Sequence, residues 1–386
     1  MAAAFTAPGG LVRLTGGAVP YPLQVVAYGA AVVAAAFMLA WATEAAQVDI
    51  GHGVVIALVA FVAILPEYVV EVHYAFKGQA EYVTANLTGA SRLLLGCAVA
   101  LPAVIGLLSG RWRLPPIGPL TLAAPHRLEL AVLALASLWT MRAVARGQLT
   151  LLDAVVLVSL YAVYFRRVAV MGGEAPPPVG VAAQIEALPR AQRKRWVRGL
   201  MAYATAVILL TAVPFGDAVL GTGALVGIKP YLLLQWIVPL ATETPELVVA
   251  FVLLTHGRGG QSLAVLLAGA TSQYTLALGT VPLAYQLGAG VGPLPLPGRE
   301  RIELFLSVGV ALYAVACLVM LRLSRGDSAI MLALFTAQFL LPSIFTRFAF
   351  AVVFWVIALD VLWAERRHLP LLLATLRRSA VARSRP

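Results

Sequence analysis

Glu67 and Glu246 each follow a proline inside an apolar run, as Leu65-Pro66-Glu67-Tyr68-Val69-Val70 and Thr244-Pro245-Glu246-Leu247-Val248-Val249. Thr88-Gly89-Ala90-Ser91 lies downstream of the first and Ala268-Gly269-Ala270-Thr271 downstream of the second. The Glu-to-Gly separation is 22 residues in one copy (67 to 89) and 23 in the other (246 to 269). A carboxylate among apolar side chains is costly unless a proton or a cation neutralises it. The prolines add oxygens: Pro66 cannot donate to the carbonyl of Val62, nor Pro245 to that of Ala241, so a bare carbonyl is expected one turn before each carboxylate. Hard cations take oxygen ligands, about six to eight for calcium, which makes Glu67 and Glu246 the metal-ligand candidates. The plainer alternative is that each proline kinks its helix and each glutamate pairs with an arginine.

Other oxygens lie close in sequence. Glu71 is one helical turn after Glu67, and Glu243 is three residues before Glu246. Asn86 and Ser91 follow the first carboxylate, and Thr242, Thr271, Ser272 and Gln273 flank the second. Each is a candidate ion ligand, although such residues also make ordinary interhelical hydrogen bonds. Glu44 is a rim carboxylate or an interfacial one. His52 and His73 lack the spacing of a metal-binding helix. Cys97 and Cys317 fall in apolar segments with no CxxC spacing, as small core residues do.

The elements that position these groups must cross a membrane. Of 386 residues 61% are hydrophobic and 12% charged, against about a quarter charged in soluble domains. A span needs roughly 20 apolar residues, so an all-α protein of about 10–11 transmembrane helices is expected. Apolar runs fall near 21–47, 50–76, 80–107, 127–145 and 149–167, then near 199–223, 229–256, 261–287, 301–323, 327–344 and 346–364. A first transmembrane half (1–167) is thus joined to a second (199–365) by a basic linker, 168–198, with a basic tail at 366–386. Arg13 precedes no separate apolar core with a cleavage site, so a removable leader is not expected. The net charge of +11 reads as a topology signal, not as a nucleic-acid surface. Placing the linker in the cytoplasm gathers Arg111, Arg113, Arg127, Arg258, Arg322, Arg325 and the tail arginines inside, with the N-terminus outside. Arg142, Arg146, Arg299 and Arg301 are left external.

In this arrangement the copies are helices 2–3 (about 50–107) and 7–8 (about 229–287). Five helices is an odd offset, so the second copy enters the bilayer in the opposite sense. Inverted-topology repeats are a common plan of secondary transporters, with the site near the midplane.

On these residues the chain resembles the calcium/cation antiporter superfamily of sodium/calcium and proton/calcium exchangers. Glu67 and Glu246 match the paired acidic residues of that family's repeats, and Asn86 matches the Asn of its Gly-Asn element. Gly269-Ala270-Thr271-Ser272-Gln273 is similar to a Gly-Ser-x-x-Gln stretch of the proton/calcium branch. Ala42-Thr43-Glu44 resembles an Ala-Thr-Glu element of the same branch, and Arg146-Gly147-Gln148 through Asp153 resembles the family's fourth-to-fifth helix junction. The sequence departs from the pattern at Ala63-Ile64-Leu65, where hydroxyl or amide ligands are usual, and at Arg92, which stands where an Asn is typical. Arg92 is a possible site modulator: it could reach Glu67 or Glu71 and disfavour a divalent ion, or snorkel to the interface.

The resemblance implies a secondary antiporter, not an enzyme, exchanging calcium or a related cation for protons or sodium by alternating access in a bacterial inner membrane. A sodium/proton antiporter without calcium transport is an alternative, and from other classes a non-transporting receptor or an intramembrane enzyme. No cofactor is expected beyond the transported cation (Ca2+, Na+ or H+). Membrane lipids and small inorganic cations are the expected partners, with no nucleic acid, and the chain is a monomer or a homo-oligomer.

Overall fold

The computed structural model describes residues 2–15, 19–46, 48–49, 65–112, 120–171, 178, 180–290 and 292–377, with backbone alone at 106–112, 171 and 377. Val62 and His52 lie outside the described residues. In chain order the helices are α1 (Ala2–Leu14), α2 (Tyr21–Ala46), α3 (Leu65–Phe76), α4 (Ala80–Trp112), α5 (Arg127–Arg146), α6 (Leu151–Met171), α7 (Val181–Glu186) and α8 (Arg190–Val226). They continue with α9 (Pro230–Thr242), α10 (Thr244–Thr255), α11 (Gly259–Ser272), α12 (Leu278–Ala289), α13 (Gly298–Leu318), α14 (Arg325–Leu340), α15 (Ile344–Ala364) and α16 (Leu369–Arg377). Among the described residues seven helical spans are long and apolar enough to cross a bilayer: α2, α4, α5, α8, α11 with α12, α13 and α15. Together, α9 and α10 make an eighth, broken span. Of the other expected spans, α6 carries Asp153, Arg166 and Arg167, and α14 has 16 residues.

The chain divides into two compact units, residues 1–90 with 165–245, and 91–164 with 246–386. In the first, α2 packs along α8. The buried face of α2 is mostly alanine, including Ala27, Ala31, Ala35, Ala42 and Ala45. Small residues let helix backbones approach closely where there is no water to drive association. α1, which the sequence reading did not include, seats Gly9 against Ala31 of α2. α8 has 37 residues, about 55 Å at 1.5 Å per residue, longer than the roughly 30 Å hydrocarbon core.

Two differences from the expected layout concern the linker and the tail. The described residues of the 168–198 segment are mostly helical: α6 runs on to Met171, α7 lies within it, and α8 begins at Arg190. Ile185 of α7 and Val197 of α8 close an apolar cluster over Ala45 and Ala46 of α2. The tail likewise contains α16, which packs against α5. Both carry enough apolar residues between their charges to cover a helix end, which a count of basic residues does not register.

In the second unit α13 packs against α15, where Trp355 stacks on Phe305 at 5.5 Å and donates its Nε1 hydrogen to the Phe305 carbonyl at 3.2 Å. The two-residue strands β1 (Gln148–Leu149) and β2 (Leu294–Pro295) pair antiparallel. The arginines left external by the topology argument are engaged in structure here. Arg142 pairs with Asp153 at 2.6 Å. Arg301 donates to the carbonyls of Val144 and Ala145 at 2.9 and 3.2 Å, completing the C-terminus of α5.

Asp49, just beyond α2, accepts from Nε and Nη2 of Arg193 at 2.8 and 3.0 Å. Arg193 also donates to the carbonyls of Glu186 and Leu188 at 2.9 and 3.0 Å. The Arg193 hydrogen bond, with the charges of Arg193, Lys194 and Arg190, holds the Asp49 carboxyl below its ordinary 3.8. A depressed carboxyl stabilises the fold above its unfolded pKa and ceases to do so as pH falls through the folded value. Protease cleavage of the 168–189 segment in detergent should therefore accelerate below about pH 4. In Asp49→Asn it should be fast, and less dependent on pH, across the whole range.

Candidate functional site

The site residues of the first unit come from α3, the start of α4 and the end of α9. Glu67 is the third residue of the described α3 and Glu71 lies one turn on; both are fully buried. Asn86 of α4, also fully buried, donates from Nδ2 to Glu71 Oε1 at 3.2 Å. Thr242, the last residue of α9, faces Glu67. Its hydroxyl lies 3.1 Å from the Val238 carbonyl and within hydrogen-bonding reach of Glu67. Among the described residues, both carboxylate oxygens of Glu67, Oε2 of Glu71 and Oδ1 of Asn86 are buried without a close hydrogen-bond partner. Buried polar atoms are nearly always satisfied in folded proteins. A group of acceptor oxygens short of donors is an environment completed by protons or by a cation.

The backbone at this group is packed too tightly for any side chain at Gly89. A Cβ there would run into the carbonyl oxygen of Gln235 in α9, while Gln235 Nε2 donates to Thr88 Oγ1 at 3.4 Å. The Thr88-Gly89 turn of α4 thus lies directly on α9 and fixes Asn86, one turn earlier on α4, relative to Thr242 at the end of α9. Tyr74, at the far end of α3, donates to Asp217 Oδ1 of α8 at 3.3 Å and anchors the helix that carries both carboxylates.

The expected continuous span 229–256 is two helices. α9 ends at Thr242, the buried Glu243 caps it by donating its backbone N–H to the Pro239 carbonyl at 2.8 Å, and α10 starts at Thr244. Pro245 therefore occupies the first turn of a new helix, where its missing donor costs nothing, instead of kinking an unbroken one. The Ala241 carbonyl stays a candidate ligand for a different reason, since it stands at the very end of α9, where the chain breaks before an intrahelical N–H could reach it. Glu246 stands in the first turn of α10, where the positive end of the helix dipole favours an ionised carboxylate.

In the second unit Glu246 is partly buried. α10 is tied to α11 by Ser262, which donates to the Ala250 carbonyl at 2.7 Å. Thr271, Ser272 and Gln273 are buried together where α11 passes into a five-residue π-helical turn, Gln273–Ala277. Thr271 and Ser272 donate back to the carbonyls of Leu267 and Ala268 at 2.8 and 3.1 Å, which leaves their lone pairs as acceptors. π-turns inside α-helices are frequent at functional sites because they widen the helix by one residue. Among the described residues no three His, Cys, Asp or Glu converge, so a cation here depends on neutral oxygens beside the carboxylates.

Arg92 does not snorkel. Its side chain is fully buried, 2.8 Å from the equally buried Glu303 of α13, with Nη1 3.3 Å from Gln338 Oε1 of α14. Arg347 of α15 joins the same group, 3.6 Å from Glu303 and 3.5 Å from Gln338. Sequence reasoning missed Glu303, Gln338 and Arg347. The one available signal was Glu303 itself, a carboxylate inside an apolar run, and nothing local pairs it with Arg92.

Asn86→Ala removes the Glu71 donor and one oxygen, and should weaken cation affinity about tenfold or more, read by isotope binding to purified protein. Gly89→Ala should destabilise by about 1–3 kcal/mol or more, whereas Gly269→Ala, whose Cβ would lie 3.1 Å from the flexible end of Leu94, should be far milder; thermal unfolding in detergent compares them.

Residues 21–169 and 196–344 each match the model of the sodium/calcium exchanger protein family. The chain is 32% identical to the H+/Ca2+ exchanger CAX of known crystal structure, covering 98% of this chain and 96% of that one with a TM-score of 0.90. The structures of native YfkE and of the sodium-calcium exchanger NCX_Mj share the fold. YfkE is 14% identical at a TM-score of 0.61, covering 92% of this chain and 100% of that one, and NCX_Mj is 16% identical at 0.55, covering 88% and 98%. A search of curated proteins gives no match.

Proposed function

Because the chain belongs to the sodium/calcium exchanger family and is an integral membrane secondary transporter, not an enzyme, we propose that it exchanges calcium or a related divalent cation for protons by alternating access. The observation that carries this reading is the donor-poor group of buried oxygens on Glu67, Glu71, Asn86 and Thr242. Two carboxylates one turn apart and out of water cannot both stay charged and alone. Protons on the carboxylates or a divalent cation between the oxygens both relieve the cost, and the two solutions exclude each other. Competition of that kind is what an exchanger requires. Glu246, with Ser272 and Gln273, is the corresponding half in the second copy. The similarity to a proton/calcium exchanger at 32% identity favours protons over sodium as the counter-ion. The proposal keeps the orientation drawn from the arginines, with the N-terminus outside and both linker and tail in the cytoplasm of a bacterial cell.

Proteoliposomes loaded with a pH dye test it. An inward calcium gradient should drive protons outward, and Glu67→Gln and Glu246→Gln should each lower that flux by 100-fold or more, since no proton or divalent charge can be traded at an amide (order of magnitude from metal-site losses). Unchanged flux in both variants would sink the mechanism. Sodium-driven proton movement with no calcium uptake would replace it with a sodium/proton antiporter.

A further inference from the structure

The buried arginine beside the second half-site is a problem for any cation carrier. Arg92 follows Ser91 directly, and Ser91 interacts with the hydroxyl of Tyr274, the residue after Gln273; Arg92 itself lies within electrostatic range of Tyr274. The Arg92 charge is therefore next in the chain to one candidate ligand, Ser91, and near the residue that follows another, Gln273, sealed from solvent at 0% exposure. Burial prevents water from screening it.

We propose that Glu303 is a specificity-determining positioning residue, whose carboxylate, 2.8 Å from the Arg92 guanidinium, offsets part of that charge and so permits a divalent cation at Ser91 and Gln273. Glu303 touches no transported ion and acts through Arg92. Gln338, accepting from both Arg92 and Arg347, and Arg347, on the opposite oxygen of Glu303, fix the carboxylate in place. Arg299, one turn before Glu303, lies 3.9 Å from the same oxygen as Arg347. The arrangement draws α4, α13, α14 and α15 onto one carboxylate and turns the Arg92 side chain towards α13. This inference rests on the proposed cation exchange and names what sets its preference for charge.

Electrostatics gives the test a signature that a purely structural role lacks. The work of bringing an ion of charge z near an uncompensated positive charge scales with z. If Glu303→Gln raises the apparent KM for a monovalent cation n-fold, it should raise that for calcium about n²-fold, on the order of tenfold to 100-fold, with kcat much less affected. Arg92→Gln combined with Glu303→Gln should return the calcium KM to near the wild-type value, even in a less stable protein, whereas Arg347→Gln combined with Glu303→Gln should not. Arg92→Gln alone should lower the calcium KM; it carries the test if Glu303→Gln cannot be purified. The measurement is calcium uptake into proteoliposomes, with sodium as the monovalent competitor. An unchanged calcium KM in Glu303→Gln, equal effects on calcium and sodium, or an unchanged or raised KM in Arg92→Gln would overturn the proposal. Absence of calcium uptake by the wild-type protein would instead sink the exchange reading itself.

Discussion

Carboxylate oxygens enclosed by apolar side chains and denied hydrogen-bond donors have to be neutralised by something that arrives and leaves. Among the described residues Asn86 donates to Glu71 and Thr242 reaches Glu67, which leaves these carboxylates poor in donors. Water would relieve such oxygens at a surface, and an arginine would relieve them permanently in a core. Neither solution permits exchange. The surrounding structure can be understood as the means of keeping these acceptors buried, mutually close and short of protein donors.

Close backbone approach is the first of those means. Gly89 meets the Gln235 carbonyl, Gly216 lies under the Tyr74 ring hydroxyl and the alanine face of α2 meets α8. In each case a small residue removes volume that would hold two helices apart. The break between α9 and α10 is the second. By ending one helix at Thr242 and starting another at Thr244, the chain brings the last-turn carbonyls of one helix and the N-terminus of the next within a few residues of each other, one suited to a cation and the other to an ionised carboxylate.

Positive charge is handled with equal economy. Arg193 joins α2, α7 and α8 through Asp49 and two carbonyls, Arg142 pairs with Asp153, Arg301 finishes α5, and Arg92 and Arg347 share Glu303. Arginine suits these tasks because its planar fork donates several hydrogen bonds while keeping its charge. A count of arginines between apolar runs therefore mixes two populations, those that set orientation and those that close helix ends or buried pairs.

The sequence by itself determined the membrane setting, the repeated Pro-Glu and Gly-Ala hairpins and the identity of the candidate ligands. These depend on composition and local spacing, which survive without knowledge of any distant contact. Asn86 beside Glu71 was legible as a residue type but not as a bond, because the 15-residue separation spans a helix end and a turn whose geometry sets the distance. The break at Glu243 was hidden because proline is compatible with both a kinked helix and a helix start, and only packing selects between them. The π-turn at Gln273–Ala277 leaves no mark in the residues that form it. The partner of Arg92 was decided by tertiary structure alone: a buried guanidinium takes whichever carboxylate the fold brings within reach, and α13 brings Glu303.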